Sequence, residues 1–198
     1  MNSSDNHRHQ LAWTTLRRRD GGDFRLFRLE WVERENPLDG RRGEFVVLHT
    51  PAWVNVIPVT VDRRVVMVRQ YRHGADTVTL EFPGGVVAPG EEPAQAAMRE
   101  CTEETGYTGA VLEAIGEQLP NPAFLATRCY TFAWFGCRPT KEPSWDAHEY
   151  IETVEVPFDR VERLIAEGVI QHSIIIAAWT LFRLRTVSVE FSNGGRNG

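Results

Sequence analysis

The chain has 198 residues, 42% of them hydrophobic and 25% charged, which suits one globular unit with a sizeable core and at most a small extra subdomain. Its formal net charge of −5 argues against a nucleic-acid-binding surface, and no apolar run reaches the ~20 residues that span a bilayer. Three cysteines without metal-site spacing, and a polar start from Met1 to Gln10 that does not read as a signal peptide, give the expectation of a reduced, cytoplasmic protein.

In chain order, residues 1–9 read as a disordered tail. Leu11 to Arg19 and Phe24 to Arg34 alternate as two strands, with Asp20-Gly21-Gly22-Asp23 as the expected turn between them. After a polar loop from Asn36 to Arg42, Glu44 to Thr50 is a third strand. Residues 10–50 thus form a small β subdomain with too little core to stand alone. Trp53 to Thr60 and Arg64 to Arg72 are strong strands around an Asp62-Arg63 turn, and the second ends in the cations Arg69 and Arg72. Thr77 to Phe82 is a short strand leading into Pro83-Gly84-Gly85.

Further on, Ala110 to Leu119 is a strand or loop, and Pro120-Asn121-Pro122-Ala123 is a rigid turn. Arg128 to Cys137 is a hydrophobic strand on which Cys129 and Cys137 share a parity, too far apart to pair. Pro139 to His148 is an acidic loop. Tyr150 to Val156 is a strand, Phe158 to Glu167 and Ser173 to Leu184 are helices, and Thr186 to Phe191 is an expected short strand before a tail at 192–198. Helices and strands mix without a regular βαβ beat, so the expected fold is an α/β/α sandwich around a mixed sheet.

The most informative stretch runs from Gly85 to Tyr107. Pro89-Gly90 makes a turn, Pro93 suits the first helical turn, and Gly106 suits the residue just past the helix end. Ala94, Ala97, Cys101 and Thr105 form an inward stripe. Glu100, Glu103 and Glu104 share one face, where three carboxylates repel one another unless a cation sits among them. The plainer reading is a solvated acidic face.

These residues resemble the Nudix box, whose Gly, Glu, Arg-Glu, Glu-Glu and Gly fall at fixed spacings. Gly85, Glu91, Arg99, Glu100, Glu103, Glu104 and Gly106 all match, a coincidence on the order of one in a million if each residue has roughly 7% frequency. Cys101 stands where the family box usually has an aliphatic residue, which keeps a small buried apolar group. The resemblance implies the Nudix α/β/α sandwich, with residues 51–191 as the hydrolase domain.

Clustered carboxylates are oxygen ligands for hard cations. Mg²⁺ prefers few protein carboxylates plus phosphate oxygens and water. With Arg69 and Arg72 to clamp further phosphate oxygens, the set reads as metal-assisted hydrolysis of a phosphoanhydride. By the resemblance, Glu100 and Glu104 match the principal metal ligands, Glu103 the accessory one, and the carbonyl of Gly84 a further ligand. The metal would be Mg²⁺, with Mn²⁺ as the alternative. Gly85, Glu91, Arg99 and Gly106 match positions that hold the box in shape.

Outside the box, Val68-Arg69-Gln70-Tyr71-Arg72 and Leu80-Glu81-Phe82-Pro83-Gly84-Gly85 resemble the ADP-ribose pyrophosphatase and nucleotide-sugar hydrolase branch. That branch implies a homodimer through the N-terminal β subdomain and a small nucleotide-sugar substrate. Its loop acids point to Glu149 as a metal ligand and catalytic residue. The acidic residue two places earlier in those members falls on Ala147 here. Glu142, Glu103, Glu104 or His148 are the other candidates for the general base. For substrate contacts the candidates are Asn121 and Arg128, and Trp53, Phe27 or Trp31 for stacking on a base.

The resulting reading is Mg²⁺-dependent cleavage of ADP-ribose or a hexose nucleotide such as GDP-mannose to a nucleoside monophosphate and a sugar phosphate. The alternatives are a catalytically silent nucleotide-sugar sensor, or a hydrolase of dinucleoside polyphosphates or nucleoside triphosphates.

Overall fold

The computed structural model describes residues 11–145 and 149–193, with side chains through Arg185. Two compact units divide the chain: residues 11–51 with 121–127, and residues 52–120 with the remainder from Arg128 onward.

The first unit is an antiparallel sheet of β1 (Thr14–Asp23), β2 (Arg28–Glu35) and β3 (Arg42–His49) in sequential order. The expected turn at Asp20-Gly21-Gly22-Asp23 is corrected here. Those residues continue β1, with Gly22 paired to Leu29 and Asp23 to Arg28, and the chain reverses at Phe24–Phe27, where Phe24 N–H donates to the Phe27 carbonyl at 2.9 Å. The glycines serve a bulge instead. Gly22 has φ 113°, and a side chain on Gly21 would overlap Leu29. The segment 121–127 joins this unit by adding to β3: Leu48 N–H bonds the Phe124 carbonyl, and Ala126 N–H bonds that of Leu48.

The second unit is built on β4 (Trp53–Thr60), β5 (Arg64–Arg72), β6 (Thr77–Glu81), β7 (Tyr107–Thr108), β8 (Val111–Gln118), β9 (Cys129–Pro139) and β10 (Ile151–Pro157), a mixed sheet in the order β10-β5-β4-β9-β7, with β6 on β5 and β8 on β9. β4 and β9 are parallel, while β8 and β10 run antiparallel to their neighbours. Helix α1 (Pro93–Thr105) covers one face through Ala96, Ala97 and Cys101, which pack with Val54, Val56 and Phe132. Helices α2 (Val161–Ala166) and α3 (Ser173–Asn193) cover the other, where Ile57, Met67, Ala133, Ile175, Trp179 and Phe182 form the larger core. This is the α/β/α sandwich expected from the sequence. No helix among the described residues is long and apolar enough to cross a membrane.

Two expectations fail. Residues 186–191 continue α3 instead of forming a strand, because no Gly or Pro stands between Ser173 and Asn193 to stop the helix. Cys129 and Cys137 do not share a parity. Gly136, at φ 68°, makes a bulge, so Val59 pairs with Phe135 but Thr60 with Cys137. Cys137 thereby joins the cluster under α1, and all three cysteines are free and buried.

β5 sets up the site by parting from β4 after one pair, Val59 with Val65. The chain leaving β6 runs into the vacated place beside β4. Pro83 and Gly85 carbonyls accept from Val56 and Val54 N–H, both at 2.9 Å. A side chain on Gly84 would lie 2.1 Å from the Val54 carbonyl oxygen, so only glycine permits this approach.

Candidate active site

Helix α1 begins at Glu92, whose backbone N–H is met by Gln95 Oε1, with Pro93 in the first turn. It ends at Gly106, φ 75°, whose N–H bonds the Thr102 carbonyl. A Cβ at Gly106 would lie 2.1 Å from the Lys141 carbonyl oxygen, so the residue is doubly constrained. These ends fix the register of the glutamates against the Pro83–Gly85 loop.

Glu104 is 4% exposed, and its Oε2 accepts the Gly84 N–H at 2.9 Å. The Pro83 and Gly85 carbonyls face β4, while the Gly84 N–H between them turns to the helix. Burial pushes the Glu104 carboxyl up to about 8, assisted by the charges of Glu100 and Glu149 and opposed by the Gly84 N–H. Burial also raises Glu100, against the pull of Arg99. The Glu104 carboxylate therefore does not lie on the solvated face that helical spacing alone suggests.

Arg99 is the cation among these acids. Its Nη1 stands 2.8 Å from Glu100 Oε1 and 3.1 Å from Glu103 Oε2. Its Nε and Nη2 take both oxygens of Glu91 at 2.9 Å, and Nη2 also reaches the Val86 carbonyl. This bidentate grip and the Ala88 N–H hold Glu91 down to about 2. Glu91 and Arg99 thus tie the loop before the helix to the helix itself.

Beside Gly84 and Gly85 opens a cleft of about 370 Å³, lined also by Trp53, Asn55, Arg72, Glu81 and His172. Arg72 is held by Glu81, Nε to Oε1 at 2.8 Å and Nη2 to Oε2 at 2.6 Å. Burial works against the Glu81 charge, but Arg72, His172 and Thr79 outweigh it and keep the carboxyl well below its ordinary range. Glu149 is exposed and within electrostatic reach of Glu100, Glu104 and Arg72.

The structure therefore brings together Gly84, Glu100, Glu103, Glu104, Glu149, Arg72 and Trp53. It does not bring Arg69 with them. Three residues before Arg72 on an unbulged strand, Arg69 lies on the opposite face and pairs with Glu152 at 3.0 Å. Arg128 is paired with Glu117 on the surface. Asn121 belongs to the first unit, where its carbonyl accepts from Leu125 N–H. In that unit Phe27 stacks on Phe24, and Arg19 covers Trp31 at 5.3 Å. Glu142 is exposed, and His148 lies outside the described residues. Glu81 and His172 carried no role in the sequence reading. The signals for Glu81 were its place in the Leu80–Gly85 stretch that resembles the branch and its charge between the apolar Leu80 and Phe82.

Among the described residues, no three carboxylate, imidazole or thiolate groups stand close enough to hold a metal ion as they lie. Arg99 draws Glu100 and Glu103 to itself. The donor set still suits a hard divalent cation: three glutamates and a backbone carbonyl supply oxygen only. Burial, with the neighbouring glutamate charges adding to it, raises the carboxyls of Glu100 and Glu104, and a cation set among them would oppose that rise.

A NUDIX domain model matches residues 49–178. Similar proteins include an ADP-ribose pyrophosphatase of Bacillus subtilis, 29% identical over 136 residues that make 68% of this chain and 74% of that one. A methanol dehydrogenase activator of Bacillus methanolicus is 27% identical over 162 residues, 81% and 87% of the two chains. An ADP-sugar pyrophosphatase of Mus musculus is 35% identical over 136 residues, 63% and 62% of the two. A crystal structure of an ADP compounds hydrolase shares the fold at a TM-score of 0.78, covering 94% of this chain and 98% of that one at 24% identity. With its intact box set between sheet and cleft, the chain belongs to the NUDIX family, among its members similar to ADP-ribose pyrophosphatases.

Proposed function

We propose that this protein hydrolyses the diphosphate of a nucleoside diphosphate sugar, with an ADP-sugar such as ADP-ribose as the substrate, to AMP and a sugar phosphate. The observation that carries the reading is the buried Glu104 carboxylate, bonded to Gly84 at the edge of a cleft that also presents Arg72 and Trp53. Two of the relatives named above, those of Bacillus subtilis and Mus musculus, act on ADP-ribose and ADP-sugars by their names, and that supports the choice of base.

Glu100, Glu104, Glu103 and the Gly84 carbonyl would hold a divalent cation, Mg²⁺ foremost. When bound, it neutralises diphosphate charge and polarises phosphorus. Arg72, its guanidinium oriented by Glu81, meets phosphate oxygens. Trp53 offers an apolar ring face to the substrate. Glu149, the acid supplied by the loop before β10, takes a proton from the attacking water. One P–O bond to that water forms as the bridging P–O bond breaks, and the leaving phosphate departs with its oxygen.

The N-terminal sheet supports a second part of the reading, a homodimer. Trp13, Phe45 and Phe124 are each 37–43% exposed in the first unit, around a hollow of about 570 Å³. Light scattering of the purified chain tests this, and a monomer at micromolar concentration removes it.

The test of activity is a panel of ADP-ribose, ADP-glucose, GDP-mannose, UDP-glucose, a dinucleoside polyphosphate and nucleoside triphosphates with Mg²⁺, read as phosphate after phosphatase coupling. Preferential release from an ADP-sugar is expected. Tight binding without release from any compound would make the protein a sensor.

A further inference from the structure

The cluster on Glu81 has more in it than a partner for Arg72. The Glu81 side chain is 2% exposed and accepts Thr79 Oγ1 at 2.6 Å besides the two Arg72 bonds. On its other side, His172 Nδ1 lies 3.2 Å from Oε2, within ion-pair reach but off the hydrogen-bond direction. That nitrogen is buried, yet the His172 side chain keeps 36% of its surface exposed. Nδ1 adjoins the carbon that attaches the ring. The exposed edge is therefore the far one, which carries Nε2.

The backbone of His172 is held at a helix start. The His172 carbonyl accepts from Ile175 and Ile176 N–H, so the residue is anchored to the first turn of α3. Ile174 just beyond it also lines the cleft. Arg72 spends Nε and Nη2 on Glu81, which leaves Nη1. One buried carboxylate thus orients two side chains, each with a nitrogen to spare, on the wall of one cleft. A buried anion carrying two such partners is costly to keep for stability alone, since apolar packing serves that purpose as well.

We propose that His172 contacts the substrate, donating from Nε2 to an anionic oxygen of a nucleoside diphosphate, and that Glu81 is the positioning residue for both His172 and Arg72. The inference rests on the cleft being the substrate site proposed above.

The test is calorimetric binding of ADP to the full chain at saturating Mg²⁺, with three variants. Gln places an amide nitrogen near the position of Nε2, whereas Asn reproduces only the side facing Glu81. His172→Ala and His172→Asn are expected to weaken ADP binding about tenfold, the loss of one hydrogen bond to a charged group, with His172→Gln within about threefold of wild type. Unchanged urea midpoints would confirm that all are folded, and if the Ala variant fails to fold, Gln against Asn still decides. Wild-type affinity in His172→Ala, rescue by Asn and not Gln, or no ADP binding by the wild-type chain would each overturn the contact.

The same preparations tested on ADP-ribose separate the two readings. A wild-type chain that leaves ADP-ribose intact but needs His172 to bind ADP refutes the activity and keeps the contact. Cleavage of ADP-ribose with binding indifferent to His172 does the reverse.

Discussion

The Glu100 carboxylate fills the space that a side chain on Gly85 would need: a Cβ there would lie 2.4–2.6 Å from its carbon and both oxygens. What would be displaced is the end of a flexible side chain, and Gly85 does not have a left-handed φ. Gly85→Ala should therefore fold normally and move Glu100. We expect turnover to fall about 10- to 100-fold, with the Mg²⁺ activation curve displaced to higher concentration and the unfolding midpoint nearly unchanged. A normal activation curve would show that Glu100 does not hold the cation.

Arg99→Ala removes the one guanidinium that touches Glu91, Glu100 and Glu103 together. Without it Glu100 and Glu103 repel each other, and Glu91 loses its partner. The metal-free variant should melt several degrees below wild type, and added Mg²⁺ should recover more of the loss in the variant than in the wild type. Parallel melting curves with and without Mg²⁺ would contradict this.

Glu104→Gln has a stability signature set by pH. The carboxyl has an ordinary value of 4.5 and titrates at about 8 in the fold, because burial opposes its charge. Below pH 4.5 both folded and unfolded chains hold the proton, and the group costs nothing. As pH rises to 8 the unfolded chain gains by ionising first, so folding is weakened, and above 8 the penalty is constant. The neutral Gln escapes it. Metal-free Glu104→Gln should become more stable than wild type across this window, by on the order of 4 kcal/mol, while losing turnover by orders of magnitude. Urea titrations at pH 5 and pH 8.5 would show the divergence.

Cation binding should release protons for the same reason. At pH 7 Glu104 holds its proton in the metal-free protein, and an incoming divalent ion takes its place. Mg²⁺ titrated in PIPES and in Tris should give enthalpies that differ by close to one proton's worth of buffer ionisation. Equal enthalpies would remove Glu104 from the ligand set.

Arg72→Lys keeps a charge beside Glu81 but loses the paired bonds that orient it. KM for the diphosphate substrate should rise with kcat less affected. Arg72→Ala is the poorer probe, since it strands a buried carboxylate and destabilises the fold as well.

The box was legible because its chemistry is local. Pro93, the glutamates and Gly106 lie within a few turns of one helix, and helical spacing alone puts Glu100, Glu103 and Glu104 together. Glu81 and His172 were not legible, because they meet through β6 and α3, and no spacing in sequence announces that contact. Arg69 failed for a different reason. Nearness to Arg72 in sequence hid that strand alternation sends the two to opposite faces. The β1–β2 turn was misplaced because Gly-Gly signals either a turn or a bulge, and pairing through Asp23 decided for the bulge.

The bulge at Gly136 shifts the frame in which β9 is read. Up to Phe135 the strand sends its odd-numbered side chains to the α3 side; after the glycine, Cys137 goes to the α1 side. The residues that follow are handed to Tyr107 and Thr108, directly behind the helix of glutamates, and Thr140 N–H closes on the Gly106 carbonyl. A one-residue slip in a strand far from the chemistry in sequence thus sets where the end of that helix is moored. A gain or loss of one residue before Gly136 would slide Arg138 and Pro139 against Thr108 and Tyr107, and with them the bond that moors Gly106.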